Sequence, residues 1–546
     1  MARSGRPSDS RAPADGGAFA PLRHRVFAVL WTATLVGNVG LWMRDTTSAW
    51  LMTSLSASPT QVAFIQAAST LPIFLFSLPA GALADIVDRK RLLILVQFGL
   101  GLLSVALAIG SALSLLTPVS LLLFTAAAGV GSAFANPVWQ AIVPELVPRS
   151  ELRPAVALNG VAVNVSRAIG PALGGLIVAL SSPAIAYAVD VATYAIVIAA
   201  LVWWPRTTTS KRQPEAFTGA LRAGWRYALR SPPLQRTVVR AICFFLFASA
   251  YWALLPLVAK NELNGGPSTY GLLLGALGSG AVTGALLLQP VRKRLNNDSL
   301  VLVGTLVTAA TTAALGLVSS LTEALPVLLV AGFAWICVLS SINTTTQAVL
   351  PDWVRARGLA VYLMAFFGSL SLGSVVWGRI AEASSVDQAL IIAGSAGALV
   401  GVYAARWKLP STEVDLTPSG HWPQPIVTSP DDGRDGPALI TVDYRIDIRD
   451  REPFLEAIEA LGDIRRRDGA IQWAVMFDSA NPNRALEWFV TPSWAEHVRQ
   501  HDRVSVADAA VQERVKAFHR GADPPRVAHF LTASRTKQPS LTTEAE

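Results

Sequence analysis

Charge is scarce in this chain: Asp, Glu, Lys and Arg together make 15% of 546 residues, while 52% are hydrophobic. A soluble domain carries about a quarter charged residues, so an ordinary soluble enzyme is excluded and most of the chain belongs in lipid. Cysteine is scarcer still, with Cys243 and Cys337 each inside an apolar run and without metal-ligand spacing. A disulfide framework and a zinc site are both disfavoured, and no metal is expected. No G-x-x-x-x-G-K-[S/T] loop occurs, so the energy for any work should come from an ion gradient, and no cofactor is expected. The net charge of +8 sits in short clusters between apolar runs, not along one helix face. That pattern signals membrane topology and argues against a nucleic-acid partner.

What the chain does have is a repeat. Residues 81–91 read GALADIVDRKR and residues 284–294 read GALLLQPVRKR, the same frame about two hundred residues later. Each copy ends a helix-length apolar run in cations that cannot remain in hydrocarbon, which makes a tight turn between two membrane helices. Two further pairs follow in the same order: Gln140–Val147 with Gln347–Val354, and Gly170–Ile177 with Gly373–Ile380. Three collinear matches indicate a duplicated multi-helix unit, the architecture of secondary transporters.

At about 20 apolar residues per crossing, spans are expected near 26–54, 61–84, 91–113, 118–138, 155–180 and 184–204, then 237–259, 268–290, 299–320, 325–349, 358–381 and 386–405. The fold class is therefore an all-α membrane protein of twelve helices in two six-helix repeats. Alternate connections carry the cations (Arg89, Lys90 and Arg91; Arg149 and Arg153; Arg206 to Arg236; Arg292, Lys293 and Arg294; Arg355 and Arg357; Arg406 and Lys408), and Lys260 is the exception on the opposite side. The positive-inside rule then puts both termini in the cytoplasm. The polar, arginine-bearing segment 1–25 lacks a cleavage-like site, so the first helix is expected to be an uncleaved anchor.

The domains follow: a cytoplasmic tail 1–25, a six-helix bundle 26–204, a central loop 205–236, a second bundle 237–405, a Pro/Ser/Asp/Gly-rich linker 406–437, a soluble domain 438–534 and a disordered tail 535–546. In the central loop, Phe217, Leu221 and Trp225 recur every fourth residue with Arg222, Arg226 and Arg230 beside them. This predicts an amphipathic helix that either lies on the inner leaflet or packs as a linker. The soluble domain reads β-α-β-β-α-β: 438–448, 452–466, 470–477, 485–490, 494–518 and 526–531, a ferredoxin-like α+β order. His497 and His501 are one helical turn apart, but no third ligand stands near them in sequence.

Few charges fall inside the spans: Arg44 and Asp45 in the first, Arg167 in the fifth and Asp190 in the sixth. Each is a functional candidate because a membrane charge is costly unless paired or wet. Arg167 comes out near the midplane, about 18–20 Å from either end at 1.5 Å per residue. Arg44 and Asp45 project about 100° apart on a helix and are expected not to satisfy each other fully. Asp45 is the expected titrating acid and Arg167 a cavity-lining cation, against the alternative that these groups form static pairs. Asp190 is expected to cap or pair near the outer surface. Asn38, Gln140, Asn343 and Gln347 are candidate cavity polar groups, with interhelical hydrogen bonding as the alternative.

Taken together, Gly81, Asp85, Arg89 and Lys90 fall where the major facilitator superfamily keeps its loop motif G-x-x-x-D-x-x-G-R-K/R, with Asp88 in the place of the second glycine. Gly170, Pro171, Gly174 and Gly175 are similar to the G-P-x-x-G-G motif of its antiporters. Residues 22–408 thus resemble that superfamily, in its bacterial efflux branch of siderophore and drug exporters, and the domain after them resembles dimeric α/β-barrel domains fused to such exporters. The resemblance implies a gating latch at Asp85, Asp88 and Arg89, or charges that only set topology, and a moving interface or plain close-packed seam at Gly170–Gly175. The antiporter arginine of helix 4 is absent, Thr125 standing in its place. The expected function is proton-coupled export of a small amphipathic molecule across a bacterial inner membrane, with dimerisation through the last domain. Import of a sugar or organic acid, or a transporter fused to a monooxygenase-like enzyme, are the alternatives.

Overall fold

The computed structural model describes residues 19–205, 217–410, 415–419 and 436–532. Among them, twelve helices are long and apolar enough to cross a membrane. The first six are α1 (Arg25–Leu55), α2 (Pro59–Ile86), α3 (Arg89–Ala112), α4 (Pro118–Leu146), α5 (Leu152–Leu180) and α6 (Pro183–Trp203). After α7 (Phe217–Arg230) come α8 (Pro232–Leu257), α9 (Pro267–Arg292), α10 (Asn297–Leu315), α11 (Leu321–Ala348), α12 (Arg355–Ala383) and α13 (Val386–Ala404). The twelve spans and their order agree with the expected ones.

Side-chain caps set where several spans begin. Ser58, Thr117 and Ser182 each precede a proline and accept a backbone N–H from the first turn of α2, α4 and α6. Proline loses nothing at that position, since its missing N–H would have no helical partner. Asp88 caps α3 by accepting from the Arg91 backbone at 2.8 Å, and Asn296 and Ser385 do the same for α10 and α13. Each cap satisfies one of the first-turn donors that a helix leaves without an internal partner.

The chain divides into two compact units, one of Met1–Pro214, Val239–Ile342 and Leu363–Lys408, the other of Glu215–Val238, Asn343–Tyr362 and Leu409–Glu546. The second unit holds a four-stranded antiparallel sheet of β1 (Ala438–Arg445), β2 (Gln472–Phe477), β3 (Arg484–Thr491) and β4 (Arg526–Leu531) in the order β2-β3-β1-β4. Three helices join it: α14 (Arg451–Asp468), α15 (Trp494–Arg503) and α16 (Val506–Lys516). The ferredoxin-like order is as expected, but the helix expected over 494–518 is two. Ser505 breaks it, its hydroxyl and the Asp508 carboxylate forming a reciprocal cap.

One expectation for this unit is corrected. Residues 415–419 do not behave as free linker: Ser419 donates to the Val504 carbonyl at 2.9 Å, and Val506 donates to the Thr417 carbonyl at 3.0 Å. In α7 Trp225 is 52% exposed, free to meet the leaflet, while Tyr227 and Ala228 are buried on another face with Leu234, Val349, Leu350 and Val354. The side chains of Phe217, Leu221 and Arg222 lie outside the described residues.

Candidate functional site

In the membrane unit, the Gly170–Gly175 segment of α5 is a two-sided crossing. A Cβ at Gly170 would stand 2.6 Å from the Trp42 Cβ, and one at Gly174 would stand 3.1 Å from the Met43 backbone of α1. On the other side, a Cβ at Gly175 would meet the Pro267 carbonyl at 2.5 Å and Gly271 of α9 at 2.9 Å. Small residues let the two backbones approach where hydrocarbon supplies no hydrophobic drive. The sequence repeat is also a spatial one: Gly378, aligned with Gly175, meets Ala63 and Thr60 of α2 in the same manner. Trp377, aligned with Gly174, donates its indole N–H to the Leu246 carbonyl of α8 at 2.8 Å. Each half thus places one helix, α5 or α12, against the other half.

The halves are also fastened at one end. Lys260, on the π-turn Val258–Glu262 that closes α8, donates to the Thr53 carbonyl. Glu382 of α12 accepts from Ser58 at 2.9 Å and from Thr60. Trp50 and Tyr270 stack with ring centroids 6.2 Å apart. Lys260 was the one cation out of place in the charge pattern, and this contact accounts for it.

The intramembrane charges do not sit as their sequence positions suggested. Arg44 bends back on its neighbour and donates to Asp45 at 2.9 and 3.2 Å, and it also donates to the Tyr194 hydroxyl at 2.7 Å. The arginine stem spans the 100° between the two positions, reaches one oxygen of Asp45 and takes the Tyr194 hydroxyl as a further acceptor. Arg44 is buried, whereas the Asp45 side chain is 36% exposed. Asp190 is paired inside the bundle. It is fully buried and accepts from Ser104 of α3 at 2.6 Å, with Thr193 at 3.3 Å. Glycine at position 40 makes the room, since a Cβ there would be 2.6 Å from the Asp190 carboxylate.

Arg167 differs from these. Its guanidinium carbon lies 5.3 Å from the centre of the Trp42 ring, and its Nε and Nη1 are buried without a hydrogen-bond partner. Trp42 in turn faces Trp252 of α8 at 6.3 Å, and Trp252 meets Trp335 of α11 at 5.6 Å. Sequence reasoning missed Tyr251, Trp252 and Trp335, because an aromatic residue inside an apolar run carries no periodic signal that separates a ligand wall from core.

The loop motif lies at the α2–α3 turn. Arg89 donates to the Ala141 carbonyl at 3.1 Å and to Glu145 of α4 at 2.9 Å, and Lys90 donates to the Val202 and Trp204 carbonyls at 3.1 and 2.7 Å. These bonds brace the first half internally. A Cβ on Gly81 would meet nothing within 4 Å, so crowding does not require glycine there. The Asp85 side chain lies outside the described residues. Of the candidate polar groups, Gln140 is exposed on α4, Asn38 is half-buried on α1, and Gln347 donates to Asn343 at 3.1 Å.

In the second unit, His497 and His501 lie 4.9 Å apart and His529 joins at 5.0 Å from His497, among Trp494 and Phe489. No group of three or more potential ligands with metal-binding geometry occurs among the described residues. Burial, with His501 and His529 beside it, pushes the His497 imidazole down to about 3. Glu487 is fully buried between Arg465 at 3.1 Å, the Trp473 indole at 3.1 Å and the Tyr444 hydroxyl at 3.2 Å.

Across residues 16–537 the chain matches the transmembrane secretion effector family. It is 24% identical over 406 residues to the enterobactin exporter EntS of Escherichia coli O6:K15:H31, covering 73% of this chain and 96% of that one. It is 23% identical to the staphyloferrin A transporter of Staphylococcus aureus, the match covering 48% of this chain and 65% of that protein, just under two thirds. Among solved structures, a variant of the nucleoside transporter NupG superposes with a TM-score of 0.61 at 10% identity, over 70% of this chain and 100% of that one. An inward-facing, unoccupied bacterial homolog of the human lysosomal transporter Spinster gives 0.57 at 15% identity, over 71% of this chain and 98% of that one. The major facilitator fold is therefore established, and the chain belongs to the transmembrane secretion effector family of membrane transporters and is not an enzyme.

Proposed function

We propose that this secondary-active exporter of small molecules moves a siderophore-like compound outward across the bacterial inner membrane in exchange for protons. The observation that carries the reading is the paired seam of α5 on α9 and α12 on α2, built from repeat-related glycines. Two halves that meet along close-packed, side-chain-free crossings can rock about them, which is the motion alternating access needs. The named relatives supply the substrate class: EntS exports enterobactin, and the Staphylococcus aureus relative transports staphyloferrin A.

Orientation follows from charge. With the cation-rich connections inside, the end fastened by Lys260, Glu382 and the Trp50–Tyr270 pair faces outward, both termini are cytoplasmic, and the conformation is inward-facing. Asp45 is the proposed coupling acid, its proton exchanging with the Arg44 ion pair. Asp85, Asp88, Arg89 and Lys90 form the proposed gating loop. For the soluble domain of residues 438–534, we propose pairing of two copies through the outer sheet face. Phe530 and Met476 stand 54% and 52% exposed there, on the side of the sheet away from the helices.

The test is a panel of siderophores and toxic amphiphiles, with efflux compared in cells with and without the protein and with and without a protonophore. Export of a siderophore that stops when the proton gradient is dissipated supports the reading. Export indifferent to the protonophore removes proton coupling, and a chain that exports no member of the panel removes the substrate class.

A further inference from the structure

Arg167 is a cation in the membrane unit for which the described residues provide no carboxylate partner. Its two buried, unbonded nitrogens leave donors exposed to a dry surrounding, where an unmet charged donor is costly. The Trp42 face 5.3 Å away offsets part of that cost, but a ring face accepts no directed hydrogen bond from Nε and Nη1 together. Across the seam stand further buried donors: the Trp335 indole N–H, without a partner, and the Tyr251 hydroxyl and Trp252 indole N–H, which have only each other within reach. Tyr251 and Trp335 are only 1% and 4% exposed. The rings are linked, Trp42 to Trp252 at 6.3 Å and Tyr251 to Trp335 at 6.2 Å.

All of these groups offer donors, and three carry indole faces. Buried donors are rarely left unbonded, so a cluster of them awaits an acceptor-rich occupant. The cation calls for negative charge and the tilted indoles for a flat ring. Resting on the export reading, we propose that Arg167, Trp42, Tyr251, Trp252 and Trp335 form a binding site for an aromatic oxyanion, an arene bearing carboxylate or phenolate oxygens. The oxyanion takes the guanidinium of α5 and the arene lies against the indoles. Because Arg167 and Trp42 belong to the first half and the other three residues to the second, one ligand touches both halves, and movement of the halves changes its contacts.

The probe is salicylate, with salicylamide as the uncharged counterpart and citrate as an oxyanion without a ring. Equilibrium dialysis against the full chain in lipid nanodiscs should show salicylate bound more tightly than either. Arg167→Gln should weaken salicylate about ten- to hundredfold, the worth of a charge-assisted hydrogen bond, and leave salicylamide unchanged. Trp335→Phe keeps an aromatic face and removes the N–H, and should weaken salicylate about three- to tenfold; it serves also if Arg167→Gln fails to fold. Salicylate binding unaltered in the folded variants overturns the site, as does citrate binding equal to salicylate or no salicylate binding by a wild-type chain that exports. A wild-type chain that binds salicylate as described yet exports nothing would sink the export reading and leave the site standing.

Discussion

The guanidinium of Arg226 on α7 donates to the Glu496 carboxylate of α15 at 3.2 Å, tying the central loop of the transporter to its soluble domain. Glu496 also accepts from Arg503 at 2.6 Å and Arg499 at 2.9 Å. Arg503 lies 4.5 Å from the Trp353 ring and Arg467 lies 5.4 Å from the Tyr227 ring, while those two rings meet edge to face at 5.7 Å. Residues 349–354 connect α11 to α12, and α12 crosses α2 of the first half. The soluble domain therefore holds a segment that must move if the halves rock.

Glu496→Gln should loosen that hold, since it leaves Arg226 and Arg503 without their shared counter-charge in a half-buried setting. A loss of about 1–3 kcal/mol is expected, seen as a lower unfolding midpoint for the purified full chain and a changed export rate. Although burial opposes it, the hydrogen bonds from Arg503 and Arg499 and the charge of Arg226 hold the Glu496 carboxyl below its usual value of 4.5. A depressed acid stabilises above its unfolded value and loses that contribution as pH falls through its folded one. The hold should thus be constant near neutrality and weaken only below pH 4.5. An unchanged midpoint in the variant would show that the ion cluster contributes nothing.

His497 predicts a second and higher acid window. Its imidazole, lowered to about 3 by burial and by the neighbouring histidines, stays neutral in the folded domain while the unfolded chain takes up a proton below 6.5. The unfolded state then binds more protons between these values, so stability should fall as pH drops from 6.5 towards 3. The total is on the order of 5 kcal/mol. Calorimetry of the full chain between pH 7 and 5 should show this slope, and His497→Phe should flatten it. A slope of equal size in the variant would assign it to other groups.

The two glycine motifs should respond oppositely to an added methyl group. Gly175→Ala sets a Cβ 2.5 Å from the Pro267 carbonyl, so α5 and α9 must shift at a cost of about 1–3 kcal/mol, and export should fall more than membrane abundance does. Gly81→Ala meets nothing within 4 Å and should leave abundance and export near wild type. Equal tolerance at both positions would mean that the seam does not govern turnover.

Asp45→Asn separates coupling from structure. If Asp45 carries the proton, the variant should still bind substrate but lose proton-driven export at least about tenfold, as its side chain no longer changes charge. If the pair with Arg44 is only structural, abundance should fall instead, because the buried guanidinium keeps neutral acceptors but loses its counter-charge. Full flux at normal abundance would exclude Asp45 from the mechanism.

Sequence by itself determined the spans, their count, the duplication and the order of the soluble domain. Hydrophobic run length, cation clusters and strand alternation are properties of the chain direction, and they hold whatever the neighbours are. Only the tertiary structure decided partners. Arg44 finds Tyr194, 150 residues away, and Asp190, expected to cap or pair, takes Ser104 of α3, 86 residues away. His497 of α15 gains His529 from strand β4, and α7 buries Tyr227 against Val349 and Leu350. The physical reason is rotation about the helix axis. A helix inside a bundle is apolar on nearly every side, so its sequence does not say which side meets which neighbour, and a few degrees decide whether an arginine faces a carboxylate, as Arg44 does, or a wall of indoles, as Arg167 does.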